Sequence, residues 1–238
     1  MTARVIMCTI DTPNISHLTH EDFETVYEPA EDSFILLDAL EIELSEIRKL
    51  RPTLAVEVGP GSGILSAALA NLTSNEESFE KLCMVFACDI NLSACKATKR
   101  TASRNNASAN VEVICSDLLV GIADRLRGKI DLIVCNPPYV VTSDEELLQV
   151  KSSGIGTASI EASWAGGKQG CASVTDSLLN ILPKILSPKG VCFIVLEQSN
   201  KPDILGEYAE SLGLSHSVIF KRRAGRELLL VVKLTLVH

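Results

Sequence analysis

What this sequence lacks narrows it quickly. No stretch approaches the roughly 20 consecutive apolar residues that span a bilayer, so no membrane association is expected. The apolar run Val5–Ile10 is too short for a signal-peptide core and meets Asp11 at once. Basic charge is also short. Against 30 aspartates and glutamates stand 22 lysines and arginines, a formal net charge of −8 with a pI near 5.1. Phosphate contacts dominate affinity for bare nucleic acid, so this balance counts against a nucleic-acid binder. It favours a protein or small-molecule substrate, or a basic partner; the local run Lys221-Arg222-Arg223 is the exception.

Internal repeats and low-complexity linkers are absent as well. Cysteine is not scarce at eight residues, but no CxxC pair occurs and no spacing matches a structural zinc site. Cys83, Cys88, Cys115, Cys135 and Cys192 sit inside apolar runs, where cysteine behaves as a small hydrophobe. Such thiols read as reduced, which places the chain in cytoplasm or nucleus. His17 and His20 lie three apart in a polar stretch and read as solvated histidines rather than metal ligands.

What remains is an ordinary globular balance, 46% apolar and 22% charged. Residues 1–26 are polar and weakly patterned, which predicts a loosely ordered tail; residues 27–238 read as one domain. Phe34, Leu37, Leu40, Leu44 and Ile47 recur at helical spacing, predicting a helix from Glu31 to about Arg48. Pro29 precedes it harmlessly, and Glu31 and Asp32 suit its positive N-terminal end. Apolar runs then predict strands at Leu54–Val58, Met84–Cys88, Val111–Cys115, Leu132–Cys135, Val191–Leu196, Ser217–Phe220 and Leu228–Leu236. Helices are predicted at Ile64–Asn71, Asn91–Asn105 and Ser173–Leu186. Continuous rather than alternating apolar strands mean burial on both faces, and strand–helix alternation means a parallel, Rossmann-like α/β sheet. The short Lys221–Glu227 connection lets the last two strands pair antiparallel, as a C-terminal hairpin at the sheet edge.

The first strand runs directly into Gly59-Pro60-Gly61-Ser62-Gly63 and a helix. Such a turn brings a ligand close to the backbone and to free helix N–H groups. A glycine turn alone is weak evidence, and here the third glycine of a dinucleotide fingerprint is replaced by Ile64. Glu57 puts a charge into a buried strand, which is costly without a partner. Asp89 ends the second strand and suits two ribose hydroxyls. Glu57, Asp89, Asp117 and Asn136 stand at four successive strand ends, the rim where ligands bind in such sheets. Taken singly, Asp117 reads as a helix cap or loop residue. An acidic rim suits a cationic cofactor, which favours S-adenosylmethionine over a nicotinamide dinucleotide.

The fourth strand ends in Asn136-Pro137-Pro138-Tyr139. Asn-Pro and Pro-Pro are also turn signals, but this turn shares the cofactor rim. The Asn136 side-chain carbonyl and the backbone carbonyl of Pro137 can accept both N–H bonds of a planar amino group, and Tyr139 can stack on it. Alone, the loop names a planar nitrogen and leaves a protein amide and a DNA or RNA adenine N6 equally open.

Several segments together carry a resemblance. They are Val-Tyr-Glu-Pro-Ala-Glu-Asp-Ser-Phe (26–34), Glu57–Gly63, Asp89-Ile90-Asn91, Ser116-Asp117-Leu118, Asn136–Thr142 and Glu161-Ala162-Ser163-Trp164-Ala165-Gly166-Gly167. In this order they resemble the eukaryotic HemK-type protein-glutamine methyltransferases that modify the class 1 translation release factor. The resemblance runs from about Val26 to the C-terminus. It implies a seven-stranded methyltransferase fold and cofactor contacts at Ser33, Glu57, Gly59, Gly61, Gly63, Asp89, Asp117 and Leu118, with Asn136 shared with the substrate. Pro138, Tyr139 and Trp164 would face the substrate, although simple packing explains Trp164 equally well. The implied acceptor is the glutamine of the release factor's Gly-Gly-Gln motif, and the implied partner is a small zinc-binding activator subunit. Some members also methylate a histone lysine. Two departures stand out: Pro60 within the glycine loop, and a Val150–Ile160 segment longer than the family pattern.

Overall fold

The computed structural model describes residues 10–74, 83–140, 155–156, 160–163 and 172–237. Its strands are β1 (Leu54–Val58), β2 (Met84–Asp89), β3 (Val111–Cys115), β4 (Ile130–Cys135), β5 (Leu186–Glu197), β6 (Leu214–Ala224) and β7 (Glu227–Leu236). They form one seven-stranded sheet in the order β3-β2-β1-β4-β5-β7-β6. The pairs among β1 to β5 are parallel, whereas β7 runs antiparallel to both β5 and β6. The expected α/β sheet with its antiparallel C-terminal hairpin is therefore the observed one.

The continuous apolar strands follow from burial on both faces. Alternate residues point to opposite sides of a strand. Ala55, Leu132, Val134 and Phe193 join Ile35, Leu36, Leu40, Leu65 and Leu69 in one core. Val56, Ile133, Cys135, Cys192 and Ile194 join Leu178, Leu179, Leu182 and Leu205 in the other. Helices α2 (Glu31–Ile42), α3 (Leu44–Leu50) and α4 (Ile64–Ser74) serve the first core; α6 (Ala172–Ile185) and α7 (Pro202–Ser211) serve the second. Each such fully buried Leu or Ile stabilises the fold by about 1.5–3 kcal/mol before entropy is counted.

Four local expectations change. The helix expected to run from Glu31 to Arg48 is broken at Glu43, which leaves helical geometry and whose carboxylate is tied to Lys233 of β7. Residues 10–26, expected to be loose, carry a one-turn helix α1 (His20–Phe23) closed by a Thr19–Asp22 capping box. Leu18 and Val26 are buried against Ala94 and Ala97 of α5 (Leu92–Arg104), and Asn14 and Asn105 exchange hydrogen bonds. His17 is accordingly not a solvated residue: its Nε2 lies 3.3 Å from Thr101 Oγ1, and burial lowers its pKa. Finally, α7 was not expected. Gly206 interrupts its pattern, and a Cβ there would lie 2.4 Å from the His216 ring, which would have to shift.

Strand order reverses between β1 and β4, whose neighbours lead in opposite directions. In open α/β sheets the crevice beyond the strand ends at such a reversal is where ligands bind. The loops following β1, β2, β3 and β4 all open there.

Candidate functional site

The glycine loop begins where β1 ends. Gly59, Gly61 and Gly63 all have positive φ (72°, 52° and 81°), the left-handed region that favours glycine. Gly63 also packs closely, since a Cβ there would sit 2.6 Å from Thr98 Cα. Helix α5 pins the loop from that side. Thr98 Oγ1 donates to the Gly61 carbonyl (3.2 Å) and Thr101 Oγ1 to the Ser62 carbonyl (2.6 Å). From the other side the Asp89 carboxylate accepts from Gly61 N (3.1 Å) and Asn91 N (2.9 Å). Each Asp89 oxygen has a further lone pair to offer a ligand.

A cleft of about 980 Å³, part of it open to solvent, lies along this rim. It is lined by Ser33, Glu57, Gly59, Gly61, Asp89, Asp117, Leu118, Asn136, Pro137 and Pro138. Gly63 belongs to the loop but not to the lining, because it turns toward α5. Tyr139, expected to stack on the acceptor, is also outside the lining. Its hydroxyl donates to Asp32 Oδ2 (3.1 Å) and its carbonyl accepts from Asn200 Nδ2 (3.1 Å). The phenol hydroxyl thus has a structural partner. Trp164 lies outside the described residues, as does most of Val150–Ile160.

Further lining residues had not been singled out as ligand contacts: Tyr27, Ile90, Asn91, Ser163 and Val174. Tyr27 leans over the glycine loop, 3.7 Å from where a Gly61 Cβ would stand. The Tyr27–Phe34 segment carried the family resemblance, and that was the available signal. Asn91 is an N-cap that also holds the N-terminal segment through Thr25 O (2.7 Å), a role no spacing reveals.

Electrostatics divide the cleft. Glu57 is 2% exposed and accepts a hydrogen bond from Ser66 Oγ. Burial pushes its carboxyl up to about 8; the Ser66 hydrogen bond opposes this and the Asp89 charge adds to it. Burial raises Asp89 too, against the backbone N–H groups of Asn91, Gly61 and Ile90. Two buried carboxyl groups on one wall suit a cationic ligand with a vicinal diol. At the end of β4, in the same cleft, Asn136 Oδ1 is buried with no hydrogen-bond partner among the described residues. An orphaned buried acceptor is costly, about 1–3 kcal/mol, and its natural partner is an incoming N–H donor.

The comparisons agree with this geometry. Residues 33–157 match the model of the methyltransferase small domain family. Methyltransferase HEMK2 of Mus musculus is 38% identical over 224 residues, 94% of this chain and 96% of that protein. The eRF1 methyltransferase catalytic subunit mtq2 of Schizosaccharomyces pombe is 36% identical over 94% of this chain and 95% of its own length. Among solved structures, a chain of the E. cuniculi Mtq2–Trm112 complex has the same fold, with a TM-score of 0.61 at 21% identity. That match covers 88% of this chain and 98% of the other. This chain belongs to the methyltransferase small domain family and, within it, to the S-adenosylmethionine-dependent enzymes that include HEMK2 and Mtq2.

Proposed function

We propose that the protein methylates the glutamine side chain of the release factor's Gly-Gly-Gln motif, as the catalytic subunit of a heterodimer with a small zinc-binding activator. The observation that carries the reading is the buried Asn136 Oδ1, without a partner among the described residues, in the cleft that Glu57 and Asp89 also line. The relatives add to it. One is named as an eRF1 methyltransferase catalytic subunit, and the matched solved complex joins Mtq2 to Trm112 and is described as methylating eRF1.

An amide nitrogen is a weak nucleophile because its lone pair is delocalised into the carbonyl. Asn136 Oδ1 accepts one of its N–H bonds, and the backbone carbonyl of Pro137 accepts the other. Both bonds orient the nitrogen and raise its electron density. Orientation of this kind supplies roughly 7–11 kcal/mol of barrier reduction. When bound, S-adenosylmethionine supplies an electrophilic methyl group on a positively charged sulfur. Asp89 would hold its ribose hydroxyls, Glu57 would balance its positive charge, and Ser33, Asp117 and Leu118 would complete the site. The prolines exclude water from the acceptor side.

Glu57 makes donor binding pH-dependent. Its folded value near 8 exceeds the ordinary 4.5, so the free protein keeps a proton there that the unfolded chain has lost. The fold therefore loses stability as pH rises from about 4.5 to about 8. A bound cation favours the anion and expels the proton. Donor affinity is expected to rise roughly tenfold per pH unit between about 6 and 8, then level off. Calorimetry across that range checks this, and Glu57→Gln should flatten the profile. A flat wild-type profile contradicts the role given to Glu57.

The acceptor assignment is tested with the heterodimer, labelled S-adenosylmethionine and purified release factor beside DNA. Label on the factor is expected. Label on DNA with none on the factor points instead to an adenine N6-methyltransferase.

A further inference from the structure

The cleft lining leaves out one buried carboxylate that touches three parts of the site. Asp32, 3% exposed, sits in the first turn of α2, where the helix N-terminus favours its charge. One of its oxygens, Oδ2, accepts both the Tyr27 hydroxyl (2.9 Å) and the Tyr139 hydroxyl (3.1 Å). The other, Oδ1, accepts Ser33 N (2.7 Å) and Ser33 Oγ (3.3 Å). Tyr27 covers the glycine loop, Ser33 lines the cleft, and Tyr139 closes the acceptor loop.

The acceptor loop shows why this matters. At its start, Cys135 is fixed between β1 and β5 by pairing with Val58 and Ile194. At its end, Tyr139 is fixed by the Asp32 carboxylate through its phenol and by Asn200 through its backbone carbonyl. Asn136, Pro137 and Pro138 span the interval, so their placement depends on both anchors. Burial first, then the negative charge of Asp32, keeps both phenols protonated and therefore donors.

We propose that Asp32 is a positioning residue for methyl transfer, holding the acceptor loop in place through Tyr139. The inference rests on the glutamine reading above for its assay. Hydrogen bonds to an ionised acceptor are roughly twice as strong as neutral ones, so an isosteric amide at this position weakens the anchor without opening a cavity.

The test compares wild type, Asp32→Asn, Tyr139→Phe and the double variant, each as the heterodimer acting on release factor. Asp32→Asn should lower kcat roughly 10- to 100-fold, the cost of a small misplacement of reacting groups. KM for the factor and affinity for S-adenosylhomocysteine should change by less than about threefold, and Tm by no more than about 4 °C. Tyr139→Phe should reproduce most of the loss in kcat, and the double variant should be little worse than either single one. The proposal is overturned if Asp32→Asn keeps kcat within about twofold of wild type, if the two losses multiply, or if Tm falls with activity beyond that bound. A wild-type heterodimer without turnover on the factor contradicts the glutamine reading instead.

Discussion

Asn136→Ala is expected to reduce kcat roughly 10²- to 10³-fold, the usual cost of deleting one preorganised polar group from a reacting centre. S-adenosylhomocysteine should still bind, because the glycine loop, Glu57 and Asp89 are untouched. The stability change has the opposite sign to that of an ordinary buried polar deletion. Asn136 Oδ1 has no partner among the described residues, so the fold already bears its desolvation cost. Removing it should leave Tm unchanged or raise it, with a recovery of up to about 1–3 kcal/mol. A stable variant with full donor affinity and lost turnover separates an acceptor-holding residue from a packing one. Normal turnover, or a collapse of Tm, removes Asn136 from that role.

Gly63→Ala is expected to damage the fold and the donor site together. The residue has φ near +81°, and an added Cβ would lie 2.6 Å from Thr98 Cα, a backbone atom of α5 that cannot swing aside. Left-handed backbone costs a non-glycine residue about 1–2 kcal/mol, and overpacking adds about 1–3. A loss of roughly 2–5 kcal/mol should lower Tm by several degrees or more. Because Thr98 and Thr101 of α5 anchor the loop carbonyls, displacement of the helix should also weaken donor binding. Gly59→Ala is the control. Its φ is also positive, but no atom lies within 4 Å of its would-be Cβ. It should bear only the conformational cost. Equal losses at the two positions contradict the crowding argument.

Most of the sheet was legible because its strands are buried on both faces and read as unbroken apolar runs. Val111–Cys115 and Leu54–Val58 were bounded to the residue. The strand β5 begins at Leu186, earlier than its apolar run, since Ser187, Pro188, Lys189 and Gly190 hide its start. Helix α7 was hidden by Gly206, which packs against the ring of His216, a residue of β6. The N-terminal segment looked loose because its apolar contacts with α5 are few, Leu18 and Val26 on Ala94 and Ala97, and the rest are polar pairs such as Asn14 with Asn105 and Asp22 with Arg100. No periodicity records such pairs.

The site follows the same division. Glu57, Asp89, Asp117 and Asn136 announce themselves as polar residues at strand ends, and the structure brings all four to one cleft. Asp32 gives no such signal. An acid in the first turn of a helix is commonplace, and only the fold reveals that two tyrosines, 27 and 139, converge on one of its oxygens. Tyr139 changes meaning for the same reason. Its place after two prolines suggested a stacking surface, and its hydroxyl adds an anchor on Asp32 that no spacing reveals.

The central claim is that the nitrogen held by Asn136 belongs to a protein glutamine. The most direct measurement is the mass of the release-factor peptide containing Gly-Gly-Gln after incubation with the heterodimer and S-adenosylmethionine. The account predicts one added methyl group, localised by fragmentation to the glutamine side chain and absent with Asn136→Ala. An unmodified glutamine, with methyl groups found on another residue or on nucleic acid, would contradict it.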